Sequence, residues 1–407
     1  MSSPLAGLRV VDLARILAGP WIGQTLADLG ADVIKIEAPG GDDTRGWGPP
    51  FIERPIAGHT GQIDRTAAYF HSANRGKRAI TADFTTPEGR SLVRRLAAQA
   101  DVVIENYKVG GLVKHRLDPA SLMAQNPRLI VCSVTGFGQD GPYAHRAGYD
   151  FLIQGMSGIM SLTGAADGEP QKIGVAFADI FTGLYGVIAI QAALAQRHRS
   201  GRGQHIDMAL LDAMTGVLAN QAMNYLATGV APERLGNAHP NIVPYQVFAV
   251  ADGHLIVAVG NNRQFERLCQ VLGRADLASD PGHATNADRV AARETLVPAL
   301  AEAIAAWPRD ALLTALNAVG VPAGPINRLD DVMADPQIRA RGLRIAPEGV
   351  PGLRTPIRMS GAELVTERAA PALDQHRAEI LAELDALEAR DRSMGGTDAQ
   401  PDAEPDA

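Results

Sequence analysis

Cysteine is scarce, with Cys132 and Cys269 the only two in 407 residues. A disulfide framework needs more of them, and a metal-binding motif needs them closer together. Two thiols so far apart suit a reducing compartment. Positive charge is not in excess either: 38 Lys and Arg against 45 Asp and Glu give a formal net charge of -7, which removes any general attraction for nucleic acid or an anionic membrane. The opening residues, 1–8, lack the basic segment and apolar core of a signal peptide, and no stretch reads as an uninterrupted membrane span. The expectation is a cytoplasmic protein with neither nucleic acid nor membrane as partner. Gly-x-x-x-x-Gly-Lys-Ser/Thr, His-Glu-x-x-His and paired-Cys spacings are also missing, so phosphoryl transfer and structural zinc have no support and no metal is expected.

What is present is a globular chain, 46% apolar. Short β-branched runs at 8–13, 32–36, 101–105 and 128–134 read as buried strands, with helical patterns at 21–29 and 86–100 between them. Alternation of this kind predicts an α/β fold: a Rossmann-like open parallel sheet whose ligands gather at the carboxyl ends of its strands. A further strand at 204–208 leads into a helix over 211–227. The run Ala251-Asp252-Gly253 between two apolar stretches signals a hairpin, and the proline-bearing stretch 321–326 reads as a return linker. The expected organisation is a large domain over 1–228, a smaller α+β domain over 229–321, a return to the large domain over 322–390, and a disordered acidic tail over 391–407.

Asp179 stands where an apolar run gives way to a long helical pattern ending in Arg197, His198 and Arg199. The placement suggests a carboxylate at a helix N-terminus, held ionised by unpaired N–H groups and the helix dipole, and an ionised sheltered carboxylate can act as a nucleophile. On local sequence alone, an N-cap aspartate that only satisfies backbone donors is the commoner case. Basic residues cluster in Asn74-Arg75-Gly76-Lys77-Arg78, in Tyr107-Lys108 and in Lys114-His115-Arg116, each near a predicted strand end. Such clusters suit a phosphate-bearing ligand, with an aromatic such as Tyr107 available to stack on a base; a solvated basic surface is the competing account of either cluster taken alone.

With these segments in place the chain resembles the class III coenzyme A transferases from about residue 5 to residue 387. The resemblance is carried by Leu17-Ala18-Gly19-Pro20, the run from Leu29 to Glu37, Asp43-Thr44-Arg45-Gly46-Trp47, Asn106 and the residues after it, Thr135-Gly136-Phe137-Gly138, Tyr149-Asp150 and Gly201-Arg202-Gly203-Gln204. It implies that Asp179 is the nucleophile, attacking an acyl-CoA thioester to give a mixed anhydride that CoA thiolate reopens as an aspartyl-CoA thioester. It also implies CoA contacts at Arg15, Asn74, Arg75, Lys77, Asn106, Tyr107, Lys108, Lys114 and Thr135, an acyl-CoA donor, a carboxylate acceptor, and an interlocked homodimer.

Two rival readings remain at this point. The related α-methylacyl-CoA racemases pair the aspartate with a histidine in a Gly-His-Asp triplet; here the triplet is Gly148-Tyr149-Asp150, and a tyrosine shuttles protons poorly at neutral pH. A CoA-binding protein without catalysis would keep the same motifs. The stretch 234–245 and the run Gly260-Asn261-Asn262-Arg263-Gln264-Phe265 resemble the branch that handles succinyl-CoA and dicarboxylates such as glutarate. A second carboxylate calls for a cation or hydrogen-bond donor, and Arg45, Arg234 and His239 are the candidates.

Overall fold

The computed structural model describes residues 3–56, 58, 60–364 and 367–393. They form two compact units, one from the described residues of Met1–Ser157, Gly174–Ala219 and Arg341–Ala407, the other from Gly158–Ile173 and Asn220–Ala340.

The first unit is built on six parallel strands: β1 (Arg9–Asp12), β2 (Asp32–Glu37), β3 (Arg78–Thr81), β4 (Val102–Glu105), β5 (Ile130–Thr135) and β6 (His205–Ala209). Their order across the sheet is β3-β2-β1-β4-β5-β6, the order of doubly wound nucleotide-binding sheets. Val10, Val11, Val102, Val103, Ile130 and Val131 are all fully buried, as expected of strands covered on both faces. One face packs Val11, Ile34, Val103 and Val131 against Val93 and Leu96 of α2 (Pro87–Ala98), with Ile380 and Leu384 of the last helix, Arg377–Ser393. That helix takes in residues 391–393, the first three of the expected tail; the rest of that stretch, 394–407, lies outside the described residues. Strand β3 is not legible in the sequence. Its four residues open with Arg78, a buried arginine that ion-pairs with Asp32, Glu379 and Glu383.

Two helices matter most for the site: α1 (Ala18–Asp28), and a longer helix spanning Phe177–Ser200 that is called α4 below, after α3 (Asp150–Met156). Glycines let α1 and α4 approach closely. A Cβ at Gly186 would lie 2.5 Å from Ile22 Cδ1, and one at Gly183 would lie 3.0 Å from the Ala18 carbonyl oxygen. By length and composition α4 could cross a membrane, with a mean hydropathy of 1.6 over its most apolar window. This corrects the expectation that no stretch has that character. Half of the window is buried within the protein, and Arg197 in the last turn pairs with Asp101 at 2.8 Å, as befits a core helix.

The helix expected over 211–227 is two helices, Leu210–Gly216 and Ala219–Thr228, broken at Ala219 with φ 45°. One of the four points at which the chain passes between the two units falls there. In the second unit β7 (Tyr245–Val250) and β8 (Gly253–Ala258) form the expected hairpin. The supposed return linker supplies a third strand, β9 (Ala323–Pro325), antiparallel to β8 at the sheet edge, where proline is tolerated. Phe248, Leu255, Val257, Phe265, Leu300 and Leu312 fill the core between this sheet and its helices.

Candidate active site

In a sheet of this order the chain leaves β1 and β4 in opposite directions, and the crevice at their carboxyl ends is where ligands bind. The turn from β1 into α1 is held there by side chains from elsewhere. Asp12 Oδ1 accepts from Ala14 N at 3.0 Å, and Lys35 Nζ donates to Ala14 O at 2.9 Å. Asn106, just past β4, clasps Arg15 from both sides, accepting from its N–H at 2.9 Å and donating to its carbonyl at 2.7 Å. Arg15, Leu17, Asn106, Lys108, Thr135 and Asp179 line one pocket.

Asp179 is the third residue of α4, inside the first turn and not at its cap. The cap position is Ala176, which has no side-chain hydrogen bond to offer. Asp150, the first residue of α3, does the capping from a distance: its Oδ1 accepts from Ala178 N at 2.8 Å and Asp179 N at 3.4 Å, and its Oδ2 accepts from Gln154 Nε2 at 2.7 Å. The N-cap expectation for Asp179 is therefore corrected. So is the expectation that the helix start keeps it fully ionised. Burial, and then the charge of Asp150, push its carboxyl up to about 7. Nearby Tyr69, pushed up to about 12 by burial and then by the charges of Asp179 and Asp150, stays a neutral phenol. Asp150 and Tyr69 carry no local signal of this role. Their relation to Asp179 exists only after folding.

The other candidates separate by burial. Arg15, Asn106, Tyr107, Lys108 and Thr135 meet in the pocket; Tyr107 sits edge-on to Phe84 at 5.4 Å with the Arg15 guanidinium 5.4 Å from its ring. Lys114 is exposed on a short turn, outside that lining. Asn74, Arg75 and Lys77 are interior. Lys77 Nζ spends its three donors on Asp12 at 2.7 Å, Pro20 O at 2.8 Å and Asn74 Oδ1 at 2.8 Å, while Arg75 pairs with buried Asp28 at 2.6 Å. None of the three lines the Asp179 pocket, where contacts to the ligand were expected. The candidates for a second carboxylate are also engaged. Arg45 grips Glu37 at 2.7 Å over the ring of Phe70. Arg234 donates to the carbonyls of Ser161, Ala165 and Gly168, and His239 packs on Tyr245 with Nδ1 accepting from Asn241 N.

Sequence reasoning missed one cation. Arg146 lines the Asp179 pocket, its guanidinium 4.5 Å from the ring of Tyr143 and 5.3 Å from that of Phe137, with no ion pair among the described residues. Its neighbour His145 also lines the pocket.

The family model for CoA-transferase family III matches residues 5–377. The chain belongs to CoA-transferase family III. It is a CoA-transferase by that membership, with a CoA thioester as donor and a carboxylic acid as acceptor. A succinate–glutarate CoA-transferase of Agrobacterium fabrum is 58% identical over 391 residues, 95% of this chain and 96% of that one. The human succinyl-CoA:glutarate CoA-transferase is 39% identical, covering 96% of this chain and 88% of its own. A CAIB/BAIF family protein from Brucella suis superimposes with a TM-score of 0.84 at 65% identity, over 95% of this chain and all of that one.

Proposed function

We propose that this family III CoA-transferase moves CoA from succinyl-CoA to a short dicarboxylate of the glutarate kind, with Asp179 as nucleophile. The observation that carries the reading is Asp179 itself: a carboxylate raised to about 7, in a pocket that also holds Arg15, Lys108 and Arg146. A carboxylate poorly stabilised by its surroundings is the more nucleophilic for it, and near neutral pH a substantial fraction is ionised. Its oxygen attacks the thioester carbonyl, and the C–S bond breaks to release CoA thiolate and leave a succinyl–aspartyl anhydride. The thiolate then attacks the aspartyl carbonyl, freeing succinate and leaving aspartyl-CoA. The acceptor carboxylate repeats the first step on that thioester, and the thiolate takes the new acyl group, regenerating Asp179. Each bond made replaces one broken, so no ATP is consumed.

The specific acids rest on the names of the relatives at 58% and 39% identity. For the pocket cations we assign Arg15 and Lys108 to CoA phosphates, and Arg146 to the carboxylate of the acyl group remote from the reaction. We also infer a homodimer. Phe151 and Leu152 on α3 and Leu184, Tyr185 and Ile188 on α4 are exposed at 41–61%, an apolar surface that a second chain of the interlocked kind would cover. Free, buried Cys132 and Cys269 suit a cytoplasmic setting.

Incubation with succinyl-CoA and a panel of acids, read by mass spectrometry, should give glutaryl-CoA and free succinate. Hydroxylamine added during turnover should mark Asp179, and Asp179→Asn should give neither product nor mark. Absence of any new thioester from the wild-type protein would sink the reading.

A further inference from the structure

We propose that the buried Lys35–Asp42 ion pair is a positioning device for CoA transfer: it clamps Ile16 in a left-handed backbone conformation and thereby fixes the wall of the pocket that Asp179 shares. Ile16 has φ 72°, a region that β-branched residues rarely enter because Cβ and its branches crowd the backbone. The Ile16 N–H points at both oxygens of Asp42, at 3.3 and 3.4 Å. That carboxylate is 2% exposed and cannot drift. Lys35 Nζ holds one of its oxygens at 3.0 Å, and Thr44 holds the other through its N–H at 3.0 Å and its hydroxyl at 2.8 Å.

The same ammonium donates to Ala14 O at 2.9 Å. One buried cation therefore fixes the chain before Arg15 directly, and the chain after it by way of Asp42, while Asn106 holds Arg15 in between. Three successive residues thus have their backbone direction imposed by side chains rooted on β2, on the loop after it, and at the end of β4. A buried ion pair is seldom the most stabilising filling for an interior site; apolar residues of similar volume commonly do as well or better. Here both partners turn onto the backbone of the pocket loop, and placement accounts for them where stability alone does not. Relaxing Ile16 to negative φ would redirect the chain entering α1 and carry Leu17 and Ala18 with it. Both line the Asp179 pocket, and misplacement on the ångström scale is costly for a reaction that depends on a fixed approach.

This inference rests on the proposed function, and the assay is chosen to separate the two: exchange of labelled succinate into succinyl-CoA, which needs only the donor half of the cycle. Asp42→Asn sets an amide NH2 against Lys35 and should lower kcat about tenfold or more, with the succinyl-CoA KM changed much less. Adding Ile16→Gly to Asp42→Asn should restore kcat about threefold or more, because glycine occupies the left-handed region without a clamp. A merely structural role for the ion pair predicts no such rescue, and Asp179→Asn should not be rescued at all. Should Asp42→Asn fail to fold, Lys35→Met replaces it, since it leaves the carboxylate with its N–H and hydroxyl donors; Ile16→Gly should rescue that variant in the same way. Wild-type kcat in either single variant, or a folded double variant no faster than its parent, overturns the proposal. Failure of the wild-type protein to exchange would instead remove the transferase reading itself.

Discussion

The interior beneath α1 and the pocket in front of it use the same kinds of side chain in opposite ways. In the interior every charge is closed: Lys77 with Asp12 at 2.7 Å, Arg75 with Asp28 at 2.6 Å, Lys35 with Asp42 at 3.0 Å, all at or below 7% side-chain exposure. In the pocket Lys108 and Arg146 have no acidic partner among the described residues, and Arg15 lies 3.7 Å from Asp43 with both side chains about half exposed. The acids divide likewise. Burial pushes Asp42 up, but Lys35 and the Thr44 donors outweigh it and leave its carboxyl below the usual range. Asp179 has no cation among the described residues to do that and rises to about 7 beside Asp150. Unmet charge on a shared wall marks the working surface, whereas charge as such does not.

The sharpest way to break the contrast is at Lys77. If it is scaffold, Lys77→Met strands Asp12 at 0% exposure and should cost about 3–5 kcal/mol in urea or thermal unfolding. A second change, Asp12→Asn, should recover part of that loss. Burial pulls Lys77 down to about 8 against the pull of Asp12, so even the intact pair is not a large source of stability. Unchanged stability accompanied by a raised KM for acyl-CoA would return Lys77 to the ligand contacts.

Asp179 comes next. Its folded value near 7 lies above the ordinary aspartate value near 4, so on raising the pH the unfolded chain ionises first and the folded protein is progressively penalised between those limits. Asp179→Asn, inactive, should therefore be more stable than the wild type by about 2–4 kcal/mol above pH 7, with the gap closing toward pH 4. Wild-type turnover should gain about tenfold per pH unit up to about 7 and then level off. Equal stability of the two proteins at pH 8 would show that solvent or a cation discharges the group.

How far the sequence carried these distinctions depends on whether the signal is local. The strands β1, β2, β4 and β5 were visible because their apolar runs are short and bounded, and Asp179 was visible as the acid before a long helical pattern. Strand β3 was hidden by Arg78, whose acidic partners Glu379 and Glu383 lie some 300 residues away along the chain. Asn74-Arg75-Gly76-Lys77 and Asn106-Tyr107-Lys108 look alike in one dimension. What separates them is Gly23 on α1: a Cβ there would lie 2.7 Å from Asp12 Oδ2 and 3.1 Å from Lys77 Nζ. The room for a buried ion pair is made by a residue far from either partner, and no reading of the basic cluster could find it. Asp150 was noticed as part of a triplet and not as the cap of α4, since a cap supplied from 28 residues upstream leaves no spacing to read.

Arg146 gives the smallest effect and the most direct test of the open side of the contrast. Its guanidinium is held over two aromatic rings, an arrangement that orients the fork while leaving N–H donors for an acid. Solvent-exposed as it is, removing it should disturb the fold little. Arg146→Ala should raise the KM for glutarate about tenfold, the scale of one charge-assisted contact at a partly solvated site, while a monocarboxylate acceptor of similar length should lose little. Arg146→Lys should recover less than half of the loss in free energy, because a point charge replaces a fork. Equal losses for the two acceptors, or a raised KM confined to succinyl-CoA with rising salt sensitivity, would move Arg146 to the phosphates of the donor. The second carboxylate would then have to find its partner among the uncharged donors of the same wall.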